Sequence, residues 1–150
     1  MYPLDMKLKV KKLNPRAILP KKATGGASGY DLFACIDDGS ITLDRDGDPQ
    51  LVPTGIAIEI PSGFDAQIRP RSGLSLKGAG VTFGTIDSDY RGELKVTMYL
   101  FGSKKSFTIN HGDRIAQLVI TRLSDTMIEE VEELTSTGRG AGGHGSTGMK

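Results

Sequence analysis

Apolar and polar residues alternate at period two in short stretches from the start of the chain. Leu4, Met6, Leu8 and Val10 interleave with Asp5, Lys7, Lys9 and Lys11, the pattern of a strand with one buried face. The same alternation returns at Ile56, Ile58 and Ile60, at Phe64, Ala66 and Ile68 after a Pro61-Ser-Gly turn, and at Leu94, Val96, Met98 and Leu100. A strand is expected at 41–43 between turns in 37–50, and a Gly/Ser loop before Tyr30 runs into a short apolar strand. Residues 114–121, Arg-Ile-Ala-Gln-Leu-Val-Ile-Thr, follow an Asn110-His-Gly-Asp turn and form a nearly unbroken apolar run. Such a run suits a strand covered on both faces. One helix is predicted, with Ser72 as N-cap, 73–77 as its body and Gly78 as its stop.

Many short strands with turn signals every 8 to 12 residues predict an all-β chain, a barrel or jelly roll with one short helix. No internal repeat is present. Six of the 20 glycines crowd into 138–148, and 135–150 holds almost nothing to bury. That stretch is read as a flexible tail, mobile without ligand, on a β domain of 1–134.

Composition narrows the class. At 150 residues the chain is one domain with room for a core. A formal charge of +1 gives no basic field for a nucleic-acid partner. No apolar run approaches the roughly 20 residues of a membrane span, and the N-terminus lacks a secretory pattern. Cys35 is the one cysteine, so no internal disulfide forms. It is read as a small core residue in a reducing, cytoplasmic setting.

Chemistry concentrates in a few places. Gly84-Thr-Ile-Asp-Ser-Asp-Tyr-Arg-Gly-Glu-Leu94 reads as a tight hairpin tip, Gly84 and Gly92 bracketing a turn at Ser88 and Asp89, with β runs at 81–83 and 94–101. Such a tip holds the Asp87 carboxylate, the Tyr90 ring and the backbone between them in fixed relation. That suits a base edge on main-chain groups, a sugar on the ring and a water aimed by the carboxylate. Pro70-Arg-Ser-Gly-Leu74 sits where a strand meets the helix start, where amides, the Arg71 fork and the Ser72 hydroxyl suit a phosphate. The tail joins glycines to Arg139, His144, Ser146 and Thr147 without the Lys-Ser/Thr ending of a P-loop. Gln117 lies in an apolar strand, where its amide either faces a pocket or bonds to neighbouring backbone. His111 is read as a turn residue. Taken singly, each motif also fits a plain part: a surface hairpin, a helix cap with a solvated Arg, a linker.

In order, Ala27-Ser-Gly-Tyr-Asp-Leu-Phe-Ala34, Pro70-Arg-Ser-Gly-Leu74, the segment 84–92, Gly112-Asp-Arg-Ile-Ala-Gln-Leu-Val119 and Arg139-Gly-Ala-Gly-Gly-His-Gly-Ser-Thr-Gly148 resemble the five motifs of the trimeric dUTP pyrophosphatases (dUTPases). The resemblance spans nearly the whole chain. It implies a distorted jelly-roll subunit and a homotrimer whose three sites each draw on three subunits. It also implies Mg²⁺-dependent hydrolysis of dUTP to dUMP and pyrophosphate, which limits uracil in DNA and supplies dUMP for dTMP synthesis.

By the same resemblance Asp87 orients and deprotonates the attacking water; carboxylates are ionised at neutral pH, the state a base needs. Tyr90 packs beneath the deoxyribose, and backbone from Val81 through Gly84, Thr85 and Ile86 reads the uracil. Arg71, Ser72 and Gly73 hold phosphates, and Lys95 also contacts substrate. Asp31 anchors Mg²⁺ through water, with Gln117 supporting water or phosphate. Arg139, Gly145, Ser146 and Thr147 close over the outer phosphates from a neighbouring subunit. The family usually carries Phe where this chain has His144, so weaker, pH-sensitive stacking on uracil is expected. Many relatives carry Asn at Val81, so recognition there falls to backbone. The dCTP deaminases share this scaffold but lack the Gly-rich fifth motif. A regulatory nucleotide-binding module on the same scaffold would not need Asp87.

Overall fold

The computed structural model describes residues 6–145 and 147–149. Eleven strands and one short helix follow one another: β1 (Lys9–Lys12), β2 (Tyr30–Phe33), β3 (Ser40–Asp44), β4 (Gln50–Pro53), β5 (Ile56–Glu59), β6 (Phe64–Arg69), α1 (Ser72–Leu76), β7 (Ala79–Val81), β8 (Gly84–Ile86), β9 (Lys95–Leu100), β10 (Ser106–Asn110) and β11 (Arg114–Arg122). They pair antiparallel in sheets ordered β2-β11-β6-β8, β4-β9-β7, β1-β5 and β10-β3. The fold is all-β and jelly-roll-like, as the alternation predicts.

Inward residues of these sheets meet in one core that includes Leu32, Leu43, Ile56, Val96, Met98 and Leu118, each 1 % exposed or less. The strand β11 lies between β2 and β6 with Ile115, Ala116 and Leu118 buried and Val119 and Ile120 half-buried, and Cys35 packs in the core at 5 % exposure. No helix among the described residues is long and apolar enough to cross a membrane.

Three local expectations need correction. The segment after Val81 is not a tight hairpin. The strands β7 and β9 do pair, Val81 opposite Met98, but Gly84–Ile86 leaves that sheet and pairs with β6, Gly84 opposite Ile68. The open edge of β6 offers Gly84–Ile86 a ladder of its own. Ser72 is not the N-cap: Arg71 is, extended at φ −101° and ψ 135°, with no side-chain cap. Gly78 does end the helix, at φ 89°. The strands β4 and β10 lie where no strand was read. In β4 only Val52 is buried, so the segment shows no alternation.

The last element ends at Arg122, and every residue from 122 to 141 is exposed. Exposed apolar side chains dot this arm, among them Met127, Ile128 and Leu134.

Candidate active site

The strand β8 carries the centre of the site. It is the edge of its sheet, so one side of its backbone is spent on β6 while the other keeps N–H and C=O groups for a ligand. The chain then turns sharply, the Tyr90 N–H donating to the Asp87 carbonyl at 3.0 Å. That turn puts the carboxylate and the ring side by side at the end of the strand.

A cleft of about 370 Å³ opens here, lined by six of the predicted residues, Gly84, Thr85, Ile86, Asp87, Tyr90 and Lys95. Ile68, Glu93 and Leu94 also line it and were not singled out from sequence. Ile68 is legible only through its pairing with Gly84, and Glu93 sits inside the quoted motif without a chemical signature of its own. Apolar wall and two carboxylates share the cleft with the Lys95 ammonium.

The far wall is tied to the connection between β4 and β5. The Thr54 hydroxyl, 1 % exposed, donates to the Leu94 carbonyl at 2.6 Å, and the Leu94 N–H donates to the Ile56 carbonyl at 2.9 Å. A buried hydroxyl satisfied this way rigidifies the wall. The outer side of the turn is braced by Arg91, whose guanidinium donates to the carbonyls of Ser88 (2.8 Å) and Tyr90 (3.1 Å).

A second group lies outside the cleft. Asp31 on β2 stands opposite Gln117 on β11, its side chain 12 % exposed and held by Arg71 at 3.3 Å and Arg114 at 3.6 Å. The Gln117 amide donates to the Pro70 carbonyl at 3.2 Å, the backbone use that its apolar strand suggested. Arg71 and Arg114 also line a depression of about 260 Å³ together with Lys77 and Asp113, a hollow with three cations to one carboxylate that suits an anion. Arg114 was missed from sequence, because only the pairing of β2 with β11 brings it to Asp31. Neither Ser72 nor Gly73 lines either hollow. Val81 is 4 % exposed in the core and does not line the cleft.

Along the tail, Arg139 donates to the Gly142 carbonyl at 2.7 Å, and the Gly148 N–H donates to the Gly145 carbonyl at 2.9 Å. These bonds stay within the tail. His144, Gly145 and Thr147 are exposed, and Ser146 lies outside the described residues.

No group of three or more His, Cys, Asp or Glu is placed to hold a metal among the described residues. Mg²⁺ commonly keeps several waters and is held by one or two carboxylates plus substrate phosphates. Asp31 is a single, mostly buried carboxylate of that kind, and an ion held through water there would share it with the guanidinium groups of Arg71 and Arg114.

Fold and cleft together define an all-β, jelly-roll protein with a cleft beside a sheet edge. The family model for dUTPase matches residues 15–148, and the chain belongs to the dUTPase family. The deoxyuridine 5'-triphosphate nucleotidohydrolase of Hydrogenobaculum sp. (strain Y04AAS1) is 54% identical over 149 residues, 97% of this chain and 100% of that protein. That of Neorickettsia sennetsu is 52% identical over 136 residues, 88% and 89% of the two chains. Among solved structures, the Staphylococcus bacteriophage 80alpha dUTPase with dUPNHPP matches with a TM-score of 0.82 at 28% identity, over 95% of this chain and 99% of that one. A dUTPase mutant from phage phi11 of S. aureus, described as coordinating a structural Mg(II) ion, matches with a TM-score of 0.73 at 25% identity, over 85% and 97%.

Proposed function

We propose that this chain hydrolyses dUTP to dUMP and pyrophosphate, with the cleft beside β8 as the base and sugar site. The observation that carries the reading is the convergence of Gly84, Thr85, Ile86, Asp87, Tyr90 and Lys95 on one cleft in a chain of this family. The free edge of β8 pairs with the uracil edge through main-chain donors and acceptors. Cytosine presents the reversed pattern and strands those groups at about 1–3 kcal/mol each, so two mismatches discriminate by roughly 10² to 10⁴. A thymine methyl overfills a tight pocket. The Tyr90 ring lies under the deoxyribose, where a 2′-hydroxyl collides.

Asp87 accepts a proton from the water as its oxygen bonds to the α-phosphorus, and the bond to the bridging oxygen breaks to release pyrophosphate. Arg71, Ser72 and Gly73 hold phosphate oxygens, and Arg139, Ser146 and Thr147 cover the outer ones. Asp31, with Gln117 nearby, would hold Mg²⁺ through water, and the ion would supply positive charge to the phosphates. Positioning and charge carry such a reaction, with little covalent help from the protein.

Asp31, Arg71 and Gln117 do not line the cleft that holds Asp87, and the named tail bonds are local. Both facts support a site completed by other copies of the chain, a homotrimer in this reading. Asp87→Asn tests the chemistry: dUTP binding survives, while turnover falls by about 10² or more as the base is lost. Persistent turnover contradicts the assignment of the base.

A further inference from the structure

The ring of Tyr90 is 46 % exposed to solvent overall, yet its placement has two definite supports. Its hydroxyl donates to the carbonyl of Glu93 at 3.0 Å, three residues on in its own loop. Its phenol end crowds the bare Cα of Gly92: a β-carbon there would stand 2.4 Å from Tyr90 Oη, 2.6 Å from Cζ and 3.0 Å from Cε2. Each distance is at or inside the closest approach of real side chains. Gly92 is absent from the glycines with positive φ, so no left-handed backbone demands a glycine. The missing Cβ serves the ring.

The loop beneath is itself anchored. Glu93 accepts the Gly55 N–H on Oε2 at 3.3 Å, and the neighbouring Leu94 is fixed by the buried Thr54 hydroxyl. Glu93 cannot drift to follow a displaced ring. A side chain at position 92 therefore moves the ring, not the loop, and moving the ring breaks its bond to Glu93. Because the ring is partly exposed it has somewhere to go, so the substitution changes the cleft and spares the fold.

We infer that Gly92 is a positioning residue that sets sugar specificity by leaving room for the Tyr90 ring where it lines the cleft. The inference rests on the reading of Tyr90 as the bed of the deoxyribose and names what keeps that bed in place. It acts through Tyr90 and touches no substrate itself.

The test is a cycle of G92A, Y90A and the double variant, read as KM and kcat for dUTP and for UTP, with thermal melting alongside. G92A is expected to raise the KM for dUTP by about tenfold and to shrink the preference for dUTP over UTP, the size of effect a lost close contact has on specificity, while melting stays unchanged. Added to Y90A, G92A is expected to change nothing further, since the ring it displaces is already gone. Wild-type KM and selectivity in G92A would overturn the inference, as would an equal loss on the Y90A background. A crystal structure of G92A gives a readout free of activity. A Tyr90 ring left on position 92, still bonded to Glu93, overturns the inference even if dUTP proves not to be the substrate; failure of the wild-type protein to turn over dUTP contradicts only the functional reading.

Discussion

His144 is the one non-glycine residue with positive φ among the described residues, at 49°, between Gly143 and Gly145 in the tail. A left-handed backbone angle is uncommon outside glycine, though His tolerates it better than most. The imidazole is exposed, with no packing partner to lose if it is exchanged. Under the proposed function it stacks on uracil, and a phenyl ring there buries more apolar surface with no polar nitrogens to desolvate. His144→Phe is therefore expected to tighten binding of a non-hydrolysable dUTP analogue by about three- to tenfold, roughly 1 kcal/mol, in a titration by calorimetry. Unchanged or weaker binding removes stacking from the role of this residue. Legibility at this scale followed distance along the chain. Asp87 and Tyr90 lie three residues apart, so one turn brings them together and a motif reveals them. Arg114 reaches Asp31 across 83 residues by strand pairing, and nothing near Arg114 in sequence points there.

Elements were legible where one face is buried and the other wet. Alternation located β5, β6 and β9, and the unbroken run at β11 is that of a strand between two neighbours. The strand β10, with Phe107 half-buried and Ile109 buried between exposed residues, does alternate, though over five residues only. The strand β8 could not be read locally, because its pairing with β6 rather than β9 is decided by which sheet edge stands open. A different constraint holds β5 in place. Gly55, at φ 70°, leaves room for the Cys35 sulfur 2.9 Å and the Ala17 methyl 3.0 Å from where its β-carbon would be. Its N–H and carbonyl bind Glu93 and Leu13. Gly55→Ala meets both a disfavoured backbone angle and a filled core, and a loss of roughly 1–3 kcal/mol is expected in denaturant unfolding. Full stability in that variant contradicts the packing described. Burial also pushes the Cys35 thiol above its ordinary range, with Asp37 adding to the rise. A thiol raised in the folded chain contributes stability that is complete below its unfolded value and is lost as pH climbs from there towards the folded one.

At the scale of the whole molecule the site is divided. The cleft at the end of β8 holds Asp87 and Tyr90, the residues proposed for water and sugar. The hollow beside α1 is lined by Arg71 and Arg114, both ion-paired with Asp31, and the tail carries Arg139 and His144 on an exposed arm. Under the proposed function, these three separated groups support a reaction completed between copies. An exposed arm with Met127, Ile128 and Leu134 in solvent has apolar surface that another copy could cover. The motifs along the chain name the candidate residues, but their spatial division is legible only from the folded structure.

The central claim is that the edge of β8 and the ring of Tyr90 read base and sugar together. Pyrophosphate release with Mg²⁺ from dUTP, UTP, dCTP and dTTP, measured in parallel, addresses it directly. The account predicts rapid release from dUTP and little from the other three. Comparable release from UTP or dCTP, ammonia from dCTP, or dUTP that binds without release would each contradict it.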